Sequence, residues 1–299
     1  VRAIFTAGRA GLLAAFALVL LAREARAEEP APRIEEVPSR LTKGPVPVTV
    51  LLPPSYEFAK DRRYPVLYFL HDGFGDERAL FRYGVAERLL MNEKAGAIPE
   101  LIVVSPRVAG TWCVDSYDGK RRTASFLEEE LVPFIAARYR TVEDRRSRAV
   151  AGISMGGYGA VRWAVAHPER FTAVAALSPA LQQMSWETLS PLPFLVRKSF
   201  TSVFGESELK NNFRQNDVYD LLLRDPALGA RLPYVSLRAG TEDRYRLAQV
   251  IRFFGRFLDA LGVPNKVTVE PGAHDWKYWS HALPPLLAEV ATRLWNGRS

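Results

Sequence analysis

Residues 149–159 read Ala149-Val150-Ala151-Gly152-Ile153-Ser154-Met155-Gly156-Gly157-Tyr158-Gly159, and Gly152 to Gly156 matches the G-x-S-x-G nucleophile elbow. A serine hydroxyl is a weak nucleophile unless it is held exposed beside a base. A sharp turn from strand to helix holds it so. The turn brings backbone so close that the positions two before and two after the serine must be small. Gly152 and Gly156 meet that demand, and Gly157 adds room. A short apolar stretch leads in and a small-residue helical pattern follows. That context separates the motif from an ordinary serine in a glycine-rich turn.

Working outward, the apolar runs Val46–Leu52, Tyr64–Leu70, Leu101–Ser105, Arg148–Gly152, Phe171–Leu177, Tyr234–Ala239 and Lys266–Val269 read as strands. Several are apolar throughout, as expected of strands buried on both faces. Residues 78–91, 124–138, 157–166, 245–261 and 280–295 have helical spacing. Strands alternating with helices predict an α/β chain with a mostly parallel sheet and helices on both faces. With the elbow, this is the pattern of an α/β-hydrolase fold. Residues 180–230 break the alternation and read as an insertion over the C-terminal strand ends, where it would cover a site. One hydrolase domain is expected over residues 46–299, preceded by a loose N-terminal segment, 28–45.

Residues 1–27 have the layout of a secretory signal peptide: Arg2 and Arg9, an apolar or small run from Ala10 to Ala22, then Ala25-Arg26-Ala27. The run is short for a transmembrane helix, which needs about 20 apolar residues. An uncleaved anchor is the alternative. The expectation is a secreted or periplasmic protein with no stable membrane span after cleavage. Removing this leader deletes four arginines and one glutamate and takes the net charge from +7 to +4. No concentrated basic tract remains, so nucleic-acid binding is not indicated. A single cysteine, Cys113, excludes an internal disulfide. There is no zinc-type Cys/His spacing, H-E-x-x-H, G-x-G-x-x-G or P-loop. Nothing in the sequence asks for a metal or another cofactor.

In an α/β-hydrolase the chain order is Ser, then Asp or Glu, then His. His274, in Gly272-Ala273-His274-Asp275-Trp276, follows the last strand and is the expected base; His281 lies within a helical pattern. The acid should follow the strand 234–239, where Asp243 is favoured and Glu242 is the fallback, with Asp217 next. Both neighbours could instead be helix N-caps. An oxyanion hole needs two aimed N–H groups. Met155, after the nucleophile, is one expected donor. Phe74, between Gly73 and Gly75 in the loop after strand 64–70, is the other.

The His71-Asp72-Gly73-Phe74-Gly75 loop, Thr111-Trp112-Cys113-Val114-Asp115-Ser116, Gly152–Gly157, Gly240-Thr241-Glu242-Asp243 and Gly272–Trp279 together resemble the esterase D-type family of esterases. That family includes feruloyl and acetyl xylan esterases, S-formylglutathione hydrolases, enterochelin esterases and mycolyltransferases. The resemblance covers about residues 45–295. It implies Ser154 as nucleophile, His274 as base, Asp243 as acid, and Phe74 and Met155 as oxyanion donors. It also implies Trp112, Asp115 and Trp276 near the pocket, with Trp276 and Trp279 open to a packing role. Many members have His-Gly where this chain has His71-Asp72-Gly73, which leaves the loop donor open by one position.

The expectation is an exported serine esterase acting on small-molecule or polysaccharide-linked esters through an acyl-enzyme. Two alternatives stand beside it: an acyltransferase on the same machinery, and a noncatalytic binding protein on a hydrolase scaffold. The segment 180–230 matches no substrate-defining pattern.

Overall fold

The computed structural model describes residues 32–182, 190–206, 212–225 and 227–295. The expected leader, residues 1–27, lies outside the described residues, as do parts of the expected insertion. Eight strands form one sheet: β1 (Arg33–Val37), β2 (Val46–Leu51), β3 (Val66–Leu70), β4 (Ile102–Pro106), β5 (Arg148–Ile153), β6 (Ala173–Leu177), β7 (Tyr234–Gly240) and β8 (Asn265–Glu270). Their order is β1-β2-β4-β3-β5-β6-β7-β8. The pairs β1–β2 and β2–β4 are antiparallel, and every pair from β4 to β8 is parallel.

The principal helices are α1 (Val85–Lys94), α2 (Val132–Arg138), α3 (Met155–Ala166), α4 (Phe194–Phe204), α5 (Val218–Arg224), α6 (Leu247–Ala260) and α7 (Trp276–Ala291). Successive side chains of a strand point to opposite faces, so each apolar strand feeds two cores. Tyr68, Leu70, Val150, Val174 and Ala176 pack with residues of α3 and α6, such as Trp163 and Phe254. Leu67, Phe69, Ala149, Ala151 and Ala173 pack on the other face with α1 and α7, through Leu89, Leu283 and Leu287. Every residue of β3, β4 and β6 is buried, which explains why those runs carry no polar alternation.

Three elements differ from the sequence reading by more than a residue or two at their ends. The segment 28–45, expected to be loose, contains β1, which pairs with β2 from Arg33↔Val50 to Val37↔Val46. Its composition, Arg-Ile-Glu-Glu-Val, hid it; an edge strand tolerates such charge because water solvates its outer side. The helix expected over 78–91 is broken into Ala79–Arg82 and α1 by Gly84, whose φ of +68° no helix accommodates. The last helix begins at Trp276 rather than 280, because the Asp275 carboxylate caps it by accepting the Tyr278 N–H at 3.0 Å.

The parallel strands all point one way. Their C-terminal ends therefore deliver loop 71–75, Ser154, Ser178, Asp243 and His274 to one edge of the sheet.

Candidate active site

Ser154 is the turn between β5 and α3, with φ +54° and ψ −115°. A non-glycine residue there is strained by about 1–3 kcal/mol and persists only when its surroundings enforce it. They do so here. Ser154 N–H donates to the Leu177 carbonyl at 2.9 Å, and the Ser154 carbonyl accepts from Tyr158 and Ala180. A Cβ on Gly152 would overlap the Gly156 carbonyl, and one on Gly156 would overlap the Leu70 carbonyl. Both flanking positions must be glycine for the turn to close.

The Ser154 Oγ lies 2.9 Å from His274 Nε2. On the other side of the ring, His274 Nδ1 lies 2.7 Å from Asp243 Oδ2. A carboxylate only accepts, so Nδ1 carries the proton and Nε2 is left to accept from the serine hydroxyl. The Asp243 side chain is fully buried. Its other oxygen accepts the Tyr245 N–H at 2.9 Å, so both ends of the carboxylate are engaged. The imidazole is held edge-to-face between Tyr245 and Trp279, each 4.8 Å away between centroids. Trp279 is anchored in turn by donating its Nε1–H to Ser178 Oγ at 3.2 Å. Such a ring can take the serine proton without moving, and a buried carboxylate stabilises the imidazolium that results.

Met155 opens α3, where the first N–H groups lack an intrahelical acceptor and the helix dipole is positive. The Phe74 N–H sits on the facing loop but donates to Asp72 Oδ1 at 3.1 Å. A cavity of about 270 Å³ opens beside Ser154, Met155 and His274, and Phe74, Trp112 and Trp276 border it. Trp112 has φ +54° and donates its Nε1–H to Ser199 Oγ at 3.1 Å. Trp276 stacks on Tyr83 at 4.0 Å with the rings 8° from parallel. Leu192, Val196 and Ser199, from the region of the expected insertion, line the same cavity. Trp279 is buried and also reaches the cavity wall.

The remaining candidates lie away from the Ser154–His274–Asp243 path. Asp115 does not line the cavity. Its carboxylate accepts the Ser125 N–H at 3.0 Å and the Ser125 hydroxyl at 2.7 Å, pinning its own loop to the helix that follows. Asp217 caps α5 by accepting from Tyr219 and Asp220, and Glu242 is exposed. His71 is buried and neutral. Its Nε2 accepts the Val108 N–H at 2.9 Å, so Nδ1 donates to the Asp72 carbonyl at 2.7 Å, and burial holds the ring's pKa below the usual value. Burial pushes the Cys113 thiol up to about 12, which removes it as a nucleophile. Sequence reasoning missed Tyr245, Tyr83, Ser178 and Asp72. Only Tyr245, two residues after Asp243, carried a signal in its spacing.

A mostly parallel sheet with helices on both faces, bearing a Ser-His-Asp hydrogen-bonded set at the C-terminal strand edge, defines the α/β-hydrolase class. The model of the Esterase family, described as "Putative esterase", matches residues 39–290, and the chain belongs to that family. An esterase of Mycobacterium tuberculosis (strain H37Rv) is 34% identical over 134 residues, which cover 44% of this chain and 28% of that protein. The chain thus matches less than a third of that relative's length. An acetyl esterase of Caldicellulosiruptor saccharolyticus is 24% identical over 255 residues, covering 81% of this chain and 91% of the relative. A solved ferulic acid esterase is similar with a TM-score of 0.73 at 27% identity, covering 88% of this chain and 99% of that one.

Proposed function

We propose that the protein is an exported serine esterase that cleaves carboxylic esters through an acyl-enzyme. The observation that carries this reading is the unbroken path from Ser154 Oγ through His274 to Asp243, 2.9 and 2.7 Å long, beside an apolar cavity. His274 Nε2 takes the Ser154 proton as Oγ attacks the ester carbonyl. The Met155 and Phe74 N–H groups receive the developing oxyanion. His274 then gives its proton to the leaving alcohol. Water, deprotonated by the same nitrogen, attacks the acyl-serine and releases the acid. Trp112, Trp276 and Phe74 give the cavity flat apolar walls, which suit a compact or aromatic acyl group. The relatives named acetyl esterase and ferulic acid esterase are consistent with that size range. Export rests on the charged, apolar and Ala-x-Ala pattern of residues 1–27.

The test is Ser154→Ala assayed with a short-chain aryl ester. The variant should stay folded and lose about 10⁴–10⁶-fold in kcat, the scale of nucleophile knockouts. A serine-reactive phosphonate should label Ser154 in the parent and nothing in the variant. Labelling at another serine, or activity retained by the variant, removes the assignment.

A further inference from the structure

Phe74, the expected loop donor, is 70% exposed, so side-chain packing does little to aim its amide. The amide is aimed instead by Asp72, a nearly buried residue that also lines the cavity holding Ser154. Asp72 Oδ1 accepts the Phe74 N–H at 3.1 Å, and Oδ2 accepts the Trp276 Nε1–H at 3.3 Å. The Asp72 carbonyl accepts from Gly75 N–H at 3.1 Å and from the His71 ring at 2.7 Å. A Cβ at Gly75 would stand 2.8 Å from Asp72 Oδ2, so glycine there lets the loop close on the carboxylate.

The second bond reaches across the site. Trp276 lies two residues after His274 and is edge-on to Trp279 at 5.6 Å, and Trp279 is edge-on to His274. Asp72 therefore joins the donor loop to the segment that carries the base. A carboxylate next to a developing oxyanion raises that oxyanion's energy by simple repulsion. Its useful contribution must come through the two N–H groups it orients.

We propose that Asp72 is a positioning residue for ester cleavage: it sets the direction of the Phe74 N–H and ties Trp276, with the His274 segment, to the oxyanion loop. The inference rests on the esterase reading above. In the tetrahedral state the Phe74 N–H is shared between Asp72 Oδ1 and the substrate oxygen as a three-centre bond. Without the carboxylate the amide is free to turn away, and misplacement on the order of 1 Å costs up to about 10²-fold.

The experiment uses the full chain, an aryl acetate as substrate, and an aryl boronic acid whose tetrahedral serine adduct needs the oxyanion donors. Asp72→Ala should lower kcat about 10- to 100-fold with little change in KM, and should weaken the boronate adduct by a similar factor. Asp72→Asn keeps an oxygen for the Phe74 N–H and should recover most of kcat. Trp276→Phe keeps a ring on Tyr83 but loses the donor, and should shift KM more than kcat. Thermal unfolding checks each variant; if Asp72→Ala does not fold, a folded Asp72→Asn that keeps most of kcat beside a Trp276→Phe with raised KM supports the proposal, and a folded Asp72→Asn that loses kcat more than about tenfold overturns it. The proposal is overturned if Asp72→Ala retains kcat, if Asn is as damaged as Ala, or if kcat falls while boronate affinity stays whole. A parent protein that hydrolyses no ester defeats the esterase reading instead, which keeps the two failures distinct.

Discussion

Asp243 and Glu242 are adjacent carboxylates, and the fold separates them completely. Asp243 is buried with both oxygens engaged, one by His274 and one by the Tyr245 N–H, whereas Glu242 faces water. Asp243→Asn keeps the shape but lacks the charge that orients the imidazole and stabilises its protonated form. It should lower kcat by about 10⁴-fold, the cost of the same change in a serine protease. Glu242→Gln should cost less than about tenfold, since an exposed carboxylate contributes little. Comparing kcat of the two variants at one pH, with circular dichroism to verify folding, checks the assignment; a crippled Glu242→Gln moves the acid by one residue. That Ser154, Asp243 and His274 would come together was legible in the sequence, because the proposed chemistry demands these residue types in this chain order. The direction of the Phe74 N–H and the withdrawal of Asp115 from the cavity were not. Both depend on short loop hydrogen bonds that leave no periodic trace.

At the level of elements, α1 carries an unusual burden. Glu93 is 5% exposed, with one oxygen 3.3 Å from the Leu101 N–H and the other without a partner among the described residues. Burial raises its pKa to about 8, with the Leu101 N–H opposing the shift. The native state therefore holds a proton that the unfolded chain releases near its ordinary value of 4.5. Stability from this group is fully present below about pH 4.5 and drains away as pH rises through about 8. Glu93→Gln should flatten that limb. It should match the parent at pH 4.5 and exceed it at pH 9 by on the order of a few kcal/mol, measured by urea unfolding at the two pH values. Equal slopes for both proteins would show that Glu93 ionises freely. Element type was readable wherever apolar runs were long, as in β3 and β5. The break at Gly84 and the strand β1 were not, because a single positive φ and an edge pairing are decided by partners distant in sequence.

For the whole molecule, the proposed cleavage after Ala27 would leave β1 intact at the sheet edge. That strand is also tied to the end of α2: Glu35 Oε1 accepts from Arg138 at 2.9 Å and from the Tyr139 hydroxyl at 2.5 Å. Mature protein from the native host should begin near Glu28 by mass spectrometry. A chain starting at Pro38 should melt about 5–10 °C below one starting at Glu28, as expected for losing a few kcal/mol from a domain of this size. Leader residues before Glu28 retained on the exported protein, or equal melting points, would refute the respective half of this expectation. No described helix is long and apolar enough to cross a membrane.

Sequence by itself determined the class of fold and which three side chains, Ser154, His274 and Asp243, meet at the C-terminal edge of its sheet. Strand burial on two faces requires apolar runs, and a strand-to-helix elbow requires glycine at 152 and 156. Those constraints act on neighbouring residues and can be read along the chain. Tertiary structure alone decided how the site is held: Trp279 and Tyr245 gripping His274, Trp276 lying on Tyr83, and Asp72 taking the Phe74 amide. These contacts join residues that the sheet brings to one edge from the segments following β3, β7 and β8, and no local pattern records where each loop comes to rest.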